Sequence, residues 1–220
     1  MKSFVIFDLD GTLLNTIADL GDACNYALRT LGYSEHALST YNYMVGNGVR
    51  KLIERAEPDA NAETLDKLLA LFREYYDEHC TDHTTPYPGI PELLRALSEK
   101  GIAIAVATNK YQAAADRIIR HFFPDIPFVA ILGQVEDRPV KPDPSIVFAV
   151  LNEHPTPKSS ILFVGDSAVD METARRACIE SVGVSWGFRP ISELRGAYAD
   201  HIVSSPQEIL DIATLSHYCS

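Results

Sequence analysis

The sequence predicts an α/β protein in which a parallel sheet is flanked by helices and interrupted by one all-helical segment. Short, continuously apolar runs recur along the chain, as in strands that are buried on both faces of a parallel sheet. Helical patterns separate the later runs, and such alternation indicates parallel strands joined by right-handed crossovers. One long stretch near the N-terminus breaks the rhythm and carries only helical stripes.

Five apolar runs are the predicted strands. The first is residues 4–7 (FVIF), and it ends directly before Asp8. The other four strands are predicted at residues 102–107, 128–132, 161–164 and 182–185. The helices predicted between the later strands cover residues 91–99, 112–121, 144–152 and 169–178. The chain from residue 91 to residue 185 is therefore read as alternating strand and helix.

The all-helical stretch divides the chain into two predicted domains. Residues 15–85 form the helical insert, and residues 1–14 and 86–220 form the sheet domain. Turn-forming residues between positions 82 and 88 mark the second joint between them. The insert is therefore expected to interrupt the sheet domain directly after its first strand.

Three apolar stripes predict three helices within the helical insert. The first stripe begins at Ile17 and ends before Gly32, which stands where a helix C′ residue would lie. The second stripe covers residues 49–56. The third covers residues 65–79 and follows Asn61, a suitable N-cap residue.

Composition excludes several classes of protein. With 220 residues, 46% of them hydrophobic, the chain can bury a core, and a net charge of −11 argues against nucleic acid or an anionic membrane as the main partner. No apolar run is long enough for a signal peptide or a membrane span. We therefore expect a cytoplasmic protein, either a monomer or a homodimer, with reduced thiols and no structural zinc. The cysteines are scattered, at Cys24, Cys80, Cys178 and Cys219.

Four carboxylates follow two of the predicted strands. Asp8 and Asp10 follow the first strand, and Asp166 and Asp170 follow the fourth. Ligands of open parallel sheets bind beyond the carboxyl ends of strands, near the point where strand order reverses, and these two strands could be neighbours there. Carboxylates brought together require a proton or a cation, and oxygen-only ligation suits Mg²⁺. Asp166 is expected at or near the metal, with Asp170 supporting it, although Asp10 taken alone is equally explained as a turn residue.

Three further side chains are candidates for binding a phosphoryl group. Thr108 and Asn109 end the second strand and are expected at the N-terminus of the next helix, where a hydroxyl and free N–H groups can bind phosphate. Lys141 lies among prolines that stiffen its segment, and its ammonium is expected to pair with Asp8 and with phosphoryl oxygens. Taken singly, these residues are also explained as a helix cap and a solvated loop lysine. Lys110 is a further candidate source of positive charge.

Gly48 and Arg50 of the helical insert are candidates for substrate binding. Gly46-Asn47-Gly48 precedes the second helix of the insert, and Arg50 and Lys51 fall in its first turn. Free N–H groups and two cations suit an anionic substrate group. A glycine turn and a solvated basic pair explain the same residues about equally well.

The chain resembles the haloacid dehalogenase (HAD) superfamily, and within it the phosphoglycolate phosphatase-like group with a helical C1 cap after the first motif. Asp8-Leu9-Asp10-Gly11-Thr12 matches the first motif and Thr108 the second. Lys141 matches the third motif, and Gly165-Asp166-Ser167 through Asp170 matches the fourth. The resemblance covers essentially the full length. It implies a Rossmann-like sheet of order 5-4-1-2-3, which agrees with the expected proximity of the first and fourth motifs.

The resemblance also implies a role for each motif residue. Asp8 would attack phosphorus and form an aspartyl-phosphate, while Asp10 would protonate the leaving alkoxide and then deprotonate the attacking water. The Asp8 side chain, the Asp10 backbone carbonyl and Asp166 would hold Mg²⁺. The helical insert would act as a cap that closes over the site. Charge on the phosphoryl oxygens would be stabilised by Thr108, Asn109 and Lys141.

The predicted function is therefore Mg²⁺-dependent hydrolysis of a small phosphomonoester, with 2-phosphoglycolate as the leading substrate. An acid at Asp10 argues against a dehalogenase, because a halide leaves without a proton. Sugar phosphates (with a hydrolase or a mutase), nucleoside monophosphates and pyrophosphate stay open as substrates. A phosphate-binding regulatory protein without turnover is a third reading, disfavoured because every motif residue is present.

Overall fold

The structure, a computed structural model, describes residues 1–215 of the chain. Cys219 lies outside the described residues. Within them, Cys24 and Cys80 are buried, Cys178 is exposed, and all three are free thiols. None of the described helices is both long enough and apolar enough to cross a membrane.

A parallel six-stranded sheet forms the centre of the sheet domain. In chain order, the described strands are β1 (Phe4–Phe7), β2 (Leu14–Asn15), β3 (Thr85–Pro86), β4 (Ala103–Tyr111), β5 (Phe128–Gln134), β6 (Ile161–Gly165), β7 (Glu180–Val184) and β8 (His201–Val203). The sheet order is β5-β4-β1-β6-β7-β8, and every neighbouring pair is parallel. The predicted order of five strands is confirmed, with β8 as an additional strand beyond the fifth.

Helices cover both faces of the sheet and make up most of the helical insert. The described α-helices are α1 (Ile17–Thr30), α2 (Val49–Ala56), α3 (Ala62–His79), α4 (Ile90–Glu99), α5 (Gln112–Phe122), α6 (Ser145–Glu153), α7 (Ala168–Ala177), α8 (Ile191–Gly196) and α9 (Pro206–Thr214). Because β1 is central, its side chains alternate between two cores. Val5 and Phe7 pack into the larger core, which includes the insert, whereas Phe4 and Ile6 pack into the smaller core beneath α6 and α7.

The helical insert lies between β2 and β3, which pair antiparallel over two residues each. Leu14 pairs with Pro86 and Asn15 with Thr85, so the chain enters and leaves the insert through one short ladder. Asp19 of α1 reinforces this joint, because its buried carboxylate accepts hydrogen bonds from the backbone N–H and hydroxyl of Thr84. The two connections of the insert are therefore held side by side.

Local signals explain where the helices of the insert begin and end. Asn61 caps α3, since its Oδ1 accepts a hydrogen bond of 2.9 Å from Thr64 N. Gly32 follows α1 with φ +81°, the left-handed conformation that glycine adopts at a helix C′ position. Both predictions of helix ends are confirmed.

One local prediction was wrong. Thr108 and Asn109 do not lie at the N-terminus of a helix, because β4 continues to Tyr111 and α5 begins only at Gln112. The pairing of β4 with β5 becomes irregular between Ala107 and Tyr111, so these residues occupy a distorted strand end. A phosphate at this position would meet side chains of a strand rather than a helix terminus.

Candidate active site

The carboxyl end of β1 places Asp8 at the centre of a charged cluster. The N–H of Asp8 continues the sheet by donating to Val164 O of β6 at 2.9 Å. Gly11 then turns the chain with φ +81°, and a methyl group there would lie 2.3 Å from Asp166 Oδ2. A glycine is thus required at position 11, both because the backbone there is left-handed and because Asp166 lies too close for a side chain.

Asp166 and Asp170 follow β6 and complete the acidic cluster. Asp166 Oδ2 accepts a hydrogen bond of 2.7 Å from Phe188 N. Asp170 forms a capping box at the start of α7, in which its Oδ2 accepts from the N–H and the hydroxyl of Ser167. Carboxylate oxygens of Asp8, Asp166 and Asp170 lie within 4.8 Å of one another, and all three residues are buried. This is the one group of potential metal-ligating side chains found within residues 1–215.

Lys141 is the buried cation of this cluster. Its Nζ lies 2.7 Å from Asp170 Oδ1 and 2.9 Å from Asp8 Oδ1, and the side chain is 1% exposed. Burial lowers the pKa of Lys141, but Asp170 and then Asp8 outweigh it, so the pKa is raised and the ammonium stays charged. The predicted contact between Lys141 and Asp8 is present in the structure.

Asn109 holds the backbone of Lys141 and does not point a free amide into the site. Its Oδ1 accepts from Lys141 N at 2.8 Å, and its Nδ2 donates to Lys141 O at 3.1 Å. The same Nδ2 donates to Gly46 O of the helical insert at 3.0 Å. Asn109 is therefore not the direct phosphate ligand that its position after the strand predicts, but a residue whose side chain positions Lys141.

Three clustered acids facing one ammonium leave an excess of negative charge. Burial raises the pKa of Asp8 to about 7; Lys141 opposes this, and Asp170 and Asp10 add to it. Burial also raises the pKa of Asp166 well above its usual range, with further contributions from Asp170 and Asp8. A divalent cation would remove this electrostatic cost, and an all-oxygen ligand set suits Mg²⁺.

Two buried polar atoms support this fit. In the described part of the chain, Asp8 Oδ1 and Thr12 Oγ1 are fully buried without a hydrogen-bond partner. Asp8 Oδ1 faces the Lys141 ammonium at 2.9 Å and has no further partner among the described residues. Unsatisfied buried oxygens are costly, so the environment of Asp8 Oδ1 within the acidic cluster fits a bound cation.

Asp10 lies beside the cluster in a separate network. Its Oδ1 accepts a hydrogen bond of 2.7 Å from Thr16 Oγ1 and lies 3.0 Å from Lys110 Nζ. Lys110 is 4% exposed and donates to the hydroxyl of Tyr76 in α3 at 2.8 Å. The sequence predicts Lys110 only as a source of positive charge, because its contact with Tyr76 depends on how the insert packs on the sheet.

A cavity opens between the sheet domain and the helical insert. Its polar floor is formed by Asp8, Asp10, Thr108, Asn109 and Lys110. Its largely apolar roof is formed by Leu20, Val45, Gly46, Gly48, Val49 and Leu52. The Oγ1 of Thr108 accepts from Lys110 N at 3.2 Å, so the hydroxyl hydrogen can be directed at a ligand.

The two candidate residues of the insert are placed differently. Gly48 lines the cavity with φ +85°, and a methyl group there would come within 2.7 Å of Gln134 Oε1. Arg50 is not among the lining residues; its Nη1 is 3.0 Å from Asp66 Oδ1 and its Nε is 3.4 Å from Glu54 Oε1. The structure therefore brings Gly48 to the site and leaves Arg50 in a surface ion-pair network.

Arg189 links the site to the helical insert, a role that no sequence motif indicated. It follows Phe188, whose N–H binds Asp166, and it donates to Asn42 O at 2.5 Å and Val45 O at 3.0 Å. Since Val45 is part of the cavity roof, the loop after β7 touches both the acidic cluster and the roof.

Comparison with known proteins gives matches over most of the chain. The haloacid dehalogenase-like hydrolase family model matches residues 5–184. A phosphoglycolate phosphatase of Mesorhizobium japonicum is 32% identical over 191 residues, which cover 85% of this chain and 84% of the relative. A phosphoglycolate phosphatase of Psychrobacter arcticus is 33% identical over 206 residues, covering 88% of each chain. The crystal structure of a predicted phosphoglycolate phosphatase from Haemophilus somnus superposes with a TM-score of 0.90 at 28% identity, covering 97% of this chain and 98% of the other.

Proposed function

This chain belongs to the haloacid dehalogenase-like hydrolase family, and from that premise we propose that it hydrolyses small phosphomonoesters through an aspartyl-phosphate on Asp8. The chain is a phosphatase, and its substrate is a small phosphorylated molecule. Among such substrates, 2-phosphoglycolate is the leading candidate, because relatives that are 32% and 33% identical are phosphoglycolate phosphatases. A cytoplasmic location and a monomeric or dimeric state stay predictions.

The single observation that carries the mechanism is the position of the Asp8 carboxylate. It lies at the floor of the cavity, beside one ammonium and two further carboxylates, with its Oδ1 2.9 Å from Lys141 Nζ. The other oxygen, Oδ2, would attack phosphorus, forming a bond from Asp8 to phosphorus as the bond from phosphorus to the ester oxygen breaks.

Asp8, Asp166 and the Asp10 backbone carbonyl would hold Mg²⁺, with Asp170 supporting the ligands. When bound, Mg²⁺ would neutralise the clustered carboxylates and polarise a phosphoryl oxygen. Lys141 and the Thr108 hydroxyl would stabilise the remaining charge on the transferring group.

Asp10 would serve as the acid and then as the base. It lines the cavity beside Asp8, where its proton can pass to the leaving alkoxide. A water molecule would then attack the aspartyl-phosphate, Asp10 would take its proton, and inorganic phosphate would be released from Asp8. The helical insert would act as a cap during both steps, since its apolar roof excludes bulk water.

Phosphate release across a panel of esters tests the proposal. The panel contains 2-phosphoglycolate, sugar phosphates, nucleoside monophosphates and pyrophosphate, with and without Mg²⁺, and Asp8→Asn serves as the inactive control. A preference for 2-phosphoglycolate that needs both Mg²⁺ and Asp8 is the expected result. Similar activity on all esters would support the phosphatase chemistry but not 2-phosphoglycolate as the specific substrate. Turnover by Asp8→Asn would overturn the mechanism.

A further inference from the structure

We propose that Lys110 is a positioning residue for Asp10, and that Tyr76 makes this positioning depend on contact between the helical insert and the sheet. The inference rests on the proposed function, in which Asp10 exchanges a proton with the leaving group. It assigns a role to two side chains outside the four motifs and connects the insert to the proton transfer.

The Lys110 ammonium is held by two partners on opposite sides of the domain boundary. Lys110 is the penultimate residue of β4, is 4% exposed, and places its Nζ 3.0 Å from Asp10 Oδ1. The same Nζ donates a 2.8 Å hydrogen bond to the Tyr76 hydroxyl and lies 4.7 Å from the centroid of that ring. A buried ammonium is stable only where it is paired and hydrogen-bonded, so these two residues determine its position.

The hydrogen bond and the ion pair of the Asp10 side chain use the same oxygen. Thr16 Oγ1 donates to Oδ1 at 2.7 Å from the start of the insert, and Lys110 Nζ approaches that oxygen from the sheet. Neither contact uses Oδ2. The carboxylate is therefore anchored through one oxygen, and the other is left to exchange a proton with the leaving group or the water.

Contacts between α3 and β4 hold Tyr76 in place. Tyr76 of α3 is fully buried against Lys110, and its neighbour Asp77 accepts a hydrogen bond of 2.7 Å from the Tyr111 hydroxyl. Two adjacent residues of α3 thus meet two adjacent residues of β4. Moving α3 away from the sheet would remove the Tyr76 hydroxyl from Lys110 and leave the ammonium with Asp10 alone.

The dependence on the leaving group distinguishes positioning from a merely structural role. An alkoxide is a poor leaving group that needs a proton from Asp10, whereas p-nitrophenolate leaves without one. If Lys110 acts by orienting Asp10, its loss slows alkyl esters selectively. If it only stabilises the fold or contacts the phosphoryl group, both kinds of ester are slowed alike.

The experiment measures kcat for p-nitrophenyl phosphate and for 2-phosphoglycolate, or for the alkyl ester of the panel that wild type hydrolyses fastest. Asp10→Asn sets the pattern expected when the acid is lost. Lys110→Met should follow that pattern, with kcat about 30- to 100-fold lower on the alkyl ester and less than about threefold lower on the nitrophenyl ester. Tyr76→Phe should lower kcat on the alkyl ester about 3- to 10-fold, with the same selectivity over the nitrophenyl ester. The double variant should have the same kcat values as Lys110→Met alone.

Tyr75→Phe is the matched control, because it removes a hydroxyl from the neighbouring residue of α3, whose ring stacks on Tyr26 and not on Lys110, and it should show no selectivity. Equal losses on both esters, or additive losses in the double variant, would overturn the proposal. If Lys110→Met does not fold, Tyr76→Phe decides alone, since it leaves Lys110 paired with Asp10. Failure of the proposed function is separately visible, because wild type would then hydrolyse neither ester or Asp8→Asn would stay active.

Discussion

The Lys141 ammonium and the Asp170 carboxylate form a buried ion pair, with 2.7 Å between Nζ and Oδ1. The other oxygen of Asp170 binds the N–H and hydroxyl of Ser167, so the carboxylate is fixed at the start of α7. Asp170 therefore connects the helix to the cation that faces Asp8. It acts through Lys141 rather than by lying free in the cavity.

Asp170→Asn is expected to lower activity because a neutral amide cannot form an ion pair with the Lys141 ammonium. We expect kcat to fall about 10- to 100-fold and the Mg²⁺ concentration for half-maximal activity to rise, as is usual for residues that orient ligands. Steady-state rates across a Mg²⁺ titration measure both effects. Glu172→Gln, on the same helix but paired with Arg175 and Arg176, is the control and should keep wild-type rates. Equal losses in the two variants would contradict the assigned role.

Asp8→Asn is expected to stabilise the metal-free protein at alkaline pH. Burial raises the pKa of Asp8 from 3.8 to about 7, so the folded state binds this proton more tightly than the unfolded state does. The contribution of Asp8 to the free energy of unfolding is therefore fully present below about pH 4, and it is lost as pH rises through about 7. At pH 8 the variant should have a free energy of unfolding on the order of 1–3 kcal/mol above wild type.

Urea unfolding in a chelator at pH 8, 6 and 4.5 measures this difference. The gap should narrow as pH falls, because a protonated Asp8 and an asparagine are both neutral. Adding Mg²⁺ should stabilise wild type more than the variant. A variant that is less stable than wild type at pH 8 without metal would show that the Asp8 carboxylate is not electrostatically strained.

Gly11→Ala is expected to abolish activity, whereas Gly32→Ala should leave it intact. Both glycines have φ +81°, so each alanine meets a similar backbone cost of about 1 kcal/mol. A methyl group at Gly11 would lie 2.3 Å from Asp166 Oδ2, but at Gly32 it would meet nothing within 4 Å. Thermal unfolding and kcat/KM of the two variants separate the shared backbone cost from the displacement of Asp166. Similar kinetics in both variants would mean that Asp166 can move without consequence.

Arg189→Ala is expected to raise KM more than it lowers kcat. The guanidinium binds Asn42 O and Val45 O, and losing these bonds leaves the roof of the cavity less ordered. A charged hydrogen bond contributes about 1.5–3 kcal/mol, so we expect KM to rise about 10- to 150-fold and kcat to fall less than about threefold. Initial rates over a range of substrate concentration provide both constants. Arg195→Ala, at an exposed position of α8, is the control and should match wild type. An unchanged KM in Arg189→Ala would show that Arg189 does not order the roof of the cavity.

Patterns of apolar residues predicted the strands that are buried on both faces, and missed those that are not. All four residues of β1 are fully buried, so its uninterrupted apolar run is a direct consequence of its central position. In β8 only Val203 is buried, and three residues at the edge of a sheet are too few to show a period. The two-residue strands β2 and β3 likewise carry no pattern of their own.

Local spacing placed the acidic residues, but it could not place side chains whose partners lie across the domain boundary. Asp8 and Asp166 directly follow buried strands that are neighbours, so their proximity follows from topology. Lys110 and Arg189 acquire their contacts only when the insert packs on the sheet. The orientation of Arg50 depends in the same way on which face of α2 the packing buries.

Arg50→Ala is expected to leave catalysis nearly unchanged, contrary to the role that the sequence suggested for Arg50. The side chain is 53% exposed, pairs with Asp66 and Glu54, and is absent from the cavity lining. Exposed ion pairs contribute at most about 1 kcal/mol, so kcat/KM should stay within about twofold of wild type. Rates for 2-phosphoglycolate and p-nitrophenyl phosphate, measured beside Arg189→Ala, test this expectation. A tenfold rise in KM confined to 2-phosphoglycolate would instead mean that the insert closes further during turnover and brings Arg50 to the carboxylate.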